Sequence, residues 1–326
     1  MKNLSISLFF VLILFTSLFS QNRPPLVFER KVPLVNINST LTRMEMDVKG
    51  QRLFLISEEQ NSLFIINLTD GKELYSTDKL NKPKSLAFVS HADQLFVIDA
   101  DGLCRFISLE NYSVDKSLIL GKESGIVYYD VISKKLFAGY LKSIAVIDSE
   151  TGKLTGNIKL SGKPGDFDFD FKRNQMFVNI PDKSQIEVID LATLKTINIW
   201  KISGKDNVSM AADYAGTKLF SSLRKPSGFI TLGTYTGRTT GNYECASEPS
   251  EIFFDPYLKR IYISCTEGFL QVFQQNSNGG FDPAFKLPTM EGSVNMLMIP
   301  LLNRIYLAYP GSDKQTAEIG IYRIQN

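Results

Sequence analysis

The chain has 326 residues, 44% of them hydrophobic and 21% charged, a balance that excludes a disordered polymer and fits a packed globular fold. Its 36 Lys and Arg stand against 34 Asp and Glu, so no global charge draws it to nucleic acid or to an anionic membrane. Three cysteines exclude a disulfide scaffold, and one histidine argues against a His-based triad, a His-rich zinc site or a His-ligated haem.

Residues 1–20 carry a single charge, Lys2, then an apolar run from Leu8 to Phe15, then Thr16, Ser17 and Ser20. That order reads as a secretory signal cut near Ser20. The run is short for a membrane span, and no later run approaches membrane length. No cysteine stands at the cut to take a lipid. The sequence therefore predicts an exported chain, periplasmic or extracellular at the cell surface, with residues 21–326 forming one domain.

From residue 50 onward a short pattern recurs: a long polar residue, an aliphatic, an aromatic. It appears as Arg52-Leu53-Phe54, Gln94-Leu95-Phe96, Lys135-Leu136-Phe137 and Gln175-Met176-Phe177, then as Lys218-Leu219-Phe220, Arg260-Ile261-Tyr262 and Arg304-Ile305-Tyr306. The aromatics are spaced by 42, 41, 40, 43, 42 and 44 residues, so the chain is seven units of about forty. Seven residues before each aromatic stand Asp47, Val89, Asp130, Asp170, Asp213, Asp255 and Ile299. An Asp just ahead of a turn accepts hydrogen bonds from the following backbone N–H groups, and this row reads as turn caps.

The residues leading into that position alternate. Met44, Leu86, Val127, Phe167, Met210, Ile252 and Met296 share one apolar face with the residues two places later. Each unit then offers a second strand holding the aromatic and a third such as Ile144 to Asp148 or Ile186 to Asp190. A Gly turn such as Asp70-Gly71 or Thr151-Gly152 follows, and a fourth strand is clearest at Lys195 to Trp200. Period two excludes helical repeats, and four short strands per unit make a propeller blade. The predicted fold is an all-β, seven-bladed propeller of four antiparallel strands per blade. The last unit lacks a fourth strand, and Val27 to Val35 lacks a unit. The N-terminal strand is predicted to complete the seventh blade.

The units Arg260-Ile261-Tyr262-Ile263-Ser264, Gln175-Met176-Phe177-Val178-Asn179 and Gln94-Leu95-Phe96-Val97-Ile98-Asp99 resemble the YVTN-type, YncE-like propellers. So do Ala145-Val146-Ile147-Asp148 and Glu187-Val188-Ile189-Asp190. The resemblance spans the mature chain and implies an exported binding or surface protein. Relatives of that kind carry a basic–acidic–His cluster entering the first blade, whereas here the stretch is Thr40-Leu41-Thr42-Arg43, without Asp or His. The Trp-Asp ending of Trp-Asp repeat propellers is absent too.

Propellers present ligands at the central channel. Four residues before the turn position stand Arg43, Ser85, Ile126, Asp166, Ser209, Glu251 and Asn295, and two residues later stand Glu45, Ala87, Tyr128, Asp168, Ala211, Phe253 and Leu297. Arg43, Glu45, Asp166, Asp168, Glu251 and Asn295 are therefore the candidate ligand-binding residues at the channel mouth. Arg224 and Lys225 stand on its rim, where with Lys84, Lys163 and Lys205 they would attract anions. The bland alternative is a channel of ordered water. Asp166 and Asp168 are the candidates for a cation, but ligands spread along an extended strand do not make a Ca²⁺ loop, and no metal or cofactor is assigned. His91 falls on a solvated turn at the far rim. Cys245 and Cys265 approach one rim and form a candidate disulfide, while Cys104 reads as buried and unpaired.

The sequence thus points to a monomeric, non-enzymatic binding propeller for a small ligand or an envelope or surface protein. The alternatives are a lactonase-like hydrolase using channel carboxylates and a passive adhesion module.

Overall fold

The computed structural model describes residues 23–213 and 217–325; the expected signal lies outside the described residues. Seven four-stranded antiparallel sheets stand around a central axis. Their innermost strands are Arg43–Asp47, Pro83–Val89, Ser124–Asp130, Phe167–Asp170, Lys205–Ala212, Pro249–Asp255 and Met296–Ile299. In six blades the strands follow in chain order from the axis outward. In the seventh, Leu26–Pro33 is the outer strand and pairs antiparallel with Glu318–Ile324, closing the ring as the sequence predicted.

Each blade's hydrophobic pattern follows its distance from the axis. The second strands are buried on both faces between neighbouring blades, so they read as unbroken apolar runs such as Leu53-Phe54-Leu55-Ile56. The outer strands face solvent on one side and alternate, as Glu73–Thr77 does. All seven anchor aromatics are buried, and each packs against the next blade. Phe54 meets Leu86 and Val97, Phe137 meets Phe169, Phe177 meets Leu219, and Tyr306 meets Met44 across the seam between blades seven and one. The recurring aromatic is therefore the peg that joins blade to blade, and truncating one would cost about 3–5 kcal/mol.

The turns from first to second strand all lie on one face of the disc, here called the lower face. Asp47 accepts a hydrogen bond from the Gly50 N–H, Asp130 from Ile132, Asp170 from Arg173 and Asp255 from Tyr257 and Leu258, so these four cap turns as expected. The residue ending most of these turns takes a left-handed backbone without being glycine: Gln51, Asp93, Lys134, Asn174, Lys259 and Asn303. Outer strand pairings carry a bulge in every blade, for example between Val188 and Ile189, which twists the edge away from further pairing.

Candidate functional site: a charged waist in the central channel

The polar residues at the fourth position before each turn do two different things. Most of them reach the backbone of the next blade. Ser85 Oγ accepts from Val127 N at 3.1 Å, Asp166 Oδ2 from Met210 N at 2.8 Å, and Ser209 Oγ from Ile252 N at 3.4 Å. Each acceptor thus takes the N–H of the residue just after its counterpart in the following blade. Asn295 Nδ2 donates to the Leu41 carbonyl and fastens blade seven to blade one. Asp168 repeats the device two residues on, accepting from Ala212 N at 2.7 Å. Innermost strands of adjacent blades belong to separate sheets, and these side chains bond N–H groups across the gap between them.

Arg43 and Glu251 do not stitch. Arg43 Nη1 reaches Glu251 Oε1 at 3.2 Å, from blade one to blade six, passing in front of blade seven. Both side chains are mostly enclosed. Ser209 Oγ lies 3.2 Å from Glu251 Oε2 and 3.0 Å from Asp166 Oδ2. One hydroxyl proton serves only one of those oxygens, so the second contact is a hydrogen bond only when a carboxyl supplies the proton. Glu45 stands below, its Oε1 accepting from Met46 N.

Electrostatics follow from burial. Glu251 is pushed up to about 7 by burial; Arg43 opposes the rise and Asp166 adds to it. Burial also raises Asp166 and Glu45, against the pull of Arg43 and backbone N–H groups. Burial lowers Arg43, but Glu251, Asp166 and Glu45 outweigh it and its pKa ends higher than usual. One guanidinium therefore faces several carboxyls in a poorly solvated place.

The bridge divides the channel. Above it lies a small polar vestibule of about 320 Å³ lined by Lys84, Ser85, Ser124 and Asn295. Below it lies a cavity of about 630 Å³ that runs from Asp166, Asp168 and Glu251 past Tyr128, Phe253, Met210 and Met298 to Tyr257 at the lower rim. A side wing of about 340 Å³ holds Glu45, Phe88 and Leu297. The larger space thus opens on the lower face, opposite the mouth that the sequence nominated, and its walls are aromatic.

The remaining candidates fall elsewhere. Arg224 pairs with Glu248 at 3.2 Å and Lys225 with Asp206 at 2.9 Å, while Lys84 pairs with Glu58 and Lys163 with Glu123. These upper-face cations hold carboxylates of their own, which weakens an anion-attracting rim. Asp170 turns away from Asp166 and Asp168 to Arg173. Among the described residues, no three His, Cys, Asp or Glu side chains are grouped to hold a metal ion. His91 is more than a solvated turn residue: its Nδ1 lies 2.7 Å from the Tyr129 hydroxyl and its ring stacks on that tyrosine, joining blades two and three. Cys104 is buried and free. Cys245 and Cys265 are neighbouring free thiols, the Cys265 pKa raised by its hydrogen bond with Cys245 and then by burial.

With this geometry in view, likeness to known proteins extends to the fold alone. The chain superposes on a chain from the "Crystal Structure of Mitotic Checkpoint Complex" with a TM-score of 0.76 and 12% identity, over 92% of each. No protein-family model and no curated protein matches it.

Two features escaped the sequence. The stitching role of Ser85, Asp166 and Ser209 leaves no mark in a single blade, because the partner is another blade's backbone. The aromatic walls did leave one: Tyr128, Phe253 and Leu297 sit on the channel face of the alternation, where a water-filled pore needs no apolar residue.

Proposed function

We propose that the chain is an exported, non-enzymatic binding propeller of the YVTN-type, YncE-like kind, holding a small ligand in its central channel. The observation that carries this reading is the Arg43–Glu251 bridge. These two side chains pair with each other instead of holding a neighbouring blade's backbone, and both line the cavities above and below the bridge. Enclosed charge gathered on the wall of a cavity is what a recognition site offers a ligand. Export rests on the order of charge, apolar run and small polar residues in the first twenty positions.

A thermal-shift screen of the mature chain against amino acids, amines, sugars, lactones and nucleotides tests the reading. A ligand at a hundred times its Kd adds about 2.7 kcal/mol of stability. The double variant Arg43→Ala, Glu251→Ala should fold and lose the shift. A retained shift would place the ligand elsewhere.

A hydrolase is the second reading. Glu251 titrates close to neutrality and shares a hydroxyl with Asp166, as a general acid beside a second carboxylate would. Turnover of a lactone panel, lost in Glu251→Gln, would favour it.

A further inference from the structure

The lower cavity has more definite chemistry than a generic pocket, and its reading rests on the channel being the binding site. Three features of different origin meet there. The first is the space itself: about 630 Å³, within the range of about 300–1,000 Å³ that small molecules occupy. The second is its wall. Tyr128, Phe253, Met210 and Met298 line the middle, and Tyr257, almost fully exposed at 91%, stands at the opening. The third is the sign of the charge at its inner end: Asp166, Asp168 and Glu251 against Arg43 alone.

These features select among ligand classes. An anion would meet three carboxylates and a guanidinium already engaged by Glu251. A bare metal ion finds no grouped ligand set among the described residues. A neutral apolar molecule would fill the wall but leave the inner charge as it was. A cation with an apolar body satisfies both ends: carboxylates compensate the charge, and aromatic faces attract it and cover the body. We infer that the lower cavity is a site for small organic ammonium compounds, the cationic nitrogen held between Glu251 and Asp166 and the apolar body lying against Tyr128 and Phe253.

The raised pKa of Glu251 adds a signature. Near pH 6 this carboxyl is mostly protonated and offers a cation little; above about 7 it is ionised. The groups facing it are Arg43, Asp166 and Ser209, with Glu45 and Asp168 farther along the channel. An alkylammonium stays charged throughout this range. Affinity should therefore rise from pH 6 to pH 8.

The test uses three molecules of one shape and three charges: cyclohexylmethylammonium, cyclohexanecarboxylate and cyclohexylmethanol. Binding to the mature protein is followed by isothermal titration and by thermal shift at pH 6 and pH 8. The expected result is saturable 1:1 binding of the ammonium compound, tighter at pH 8, and at least about tenfold weaker binding of the other two. Glu251→Gln should weaken the ammonium compound by about tenfold and flatten its pH dependence. Phe253→Ala should weaken it while leaving that pH dependence in place, so the test does not hang on one variant. Preference for the carboxylate, with loss of its binding in Glu251→Gln, would overturn the cation assignment but leave the channel as the site. Ammonium binding untouched by both variants would overturn the site as well. No binding of any of the three would reject the ammonium class, while the wider screen above decides the channel reading independently.

Discussion

Blade four uses its polar channel residues on the backbone of blade five, whereas blades one and six pair theirs side chain to side chain past blade seven. Asp166 Oδ2 accepts from the Met210 N–H and meets the Ser209 hydroxyl, fastening blade four to blade five. Glu251 sits at the same position of its own blade and reaches a side chain instead. Position in the repeat sets where a group points, and the neighbour it finds sets whether it serves the fold or is left for function.

The sharpest break of this comparison is to open the ring on which it depends. Deleting Leu26–Pro33 removes the buried Leu26 and Val32 and uncovers Glu318–Ile324; the melting temperature should fall by about 10 °C or more, followed by circular dichroism. An unchanged value would mean that the seventh blade closes without that strand. Next is Asp166→Ala, which strands a buried N–H and should cost about 3 kcal/mol in urea denaturation. Glu251→Gln should cost much less, and its effect should show in pH dependence. The folded pKa of Glu251 lies above the ordinary carboxyl value of 4.5, so the native state holds the proton more tightly than the unfolded chain. Stability from this group is full below about pH 4.5 and is lost as pH rises toward 7. Melting temperature should decline across that window in the wild type and less in Glu251→Gln. Equal slopes would deny Glu251 a role in the titration. Smallest is Arg224→Ala on the upper rim, whose exposed ion pair should change stability by no more than about 0.5 kcal/mol.

The fold was legible because its determinants are local and repeated. Phe54 and its six counterparts carry the spacing, and alternation around Met44 or Phe167 carries the strand period. Closure by the first strand followed from a missing partner at each end of the repeats. The site was legible only in part. Alternation put Arg43, Asp166 and Glu251 on the channel, but it could not tell a side chain that holds a neighbouring backbone from one that pairs with another side chain, since that depends on the backbone of another blade. It also could not show that Arg224 and Lys225 are neutralised, because their partners Glu248 and Asp206 stand outside the repeated channel positions and meet them only in the fold. The apolar half of the channel, Tyr128 and Phe253, stands in the same row as Glu45 and Asp168, where a single blade does not show which of the two kinds sets the pocket.

The seam between Leu26–Pro33 and Glu318–Ile324 has one more consequence. The Gln325 N–H donates to the Pro25 carbonyl at 2.9 Å, so the start of the first strand and the end of the last lie side by side on the lower face. A few linking residues would join them, and the chain could then be reopened in the loop at residues 78–82, outside the strands of every blade. Such a circular permutant would move the break from the seventh blade to the boundary between the first and second.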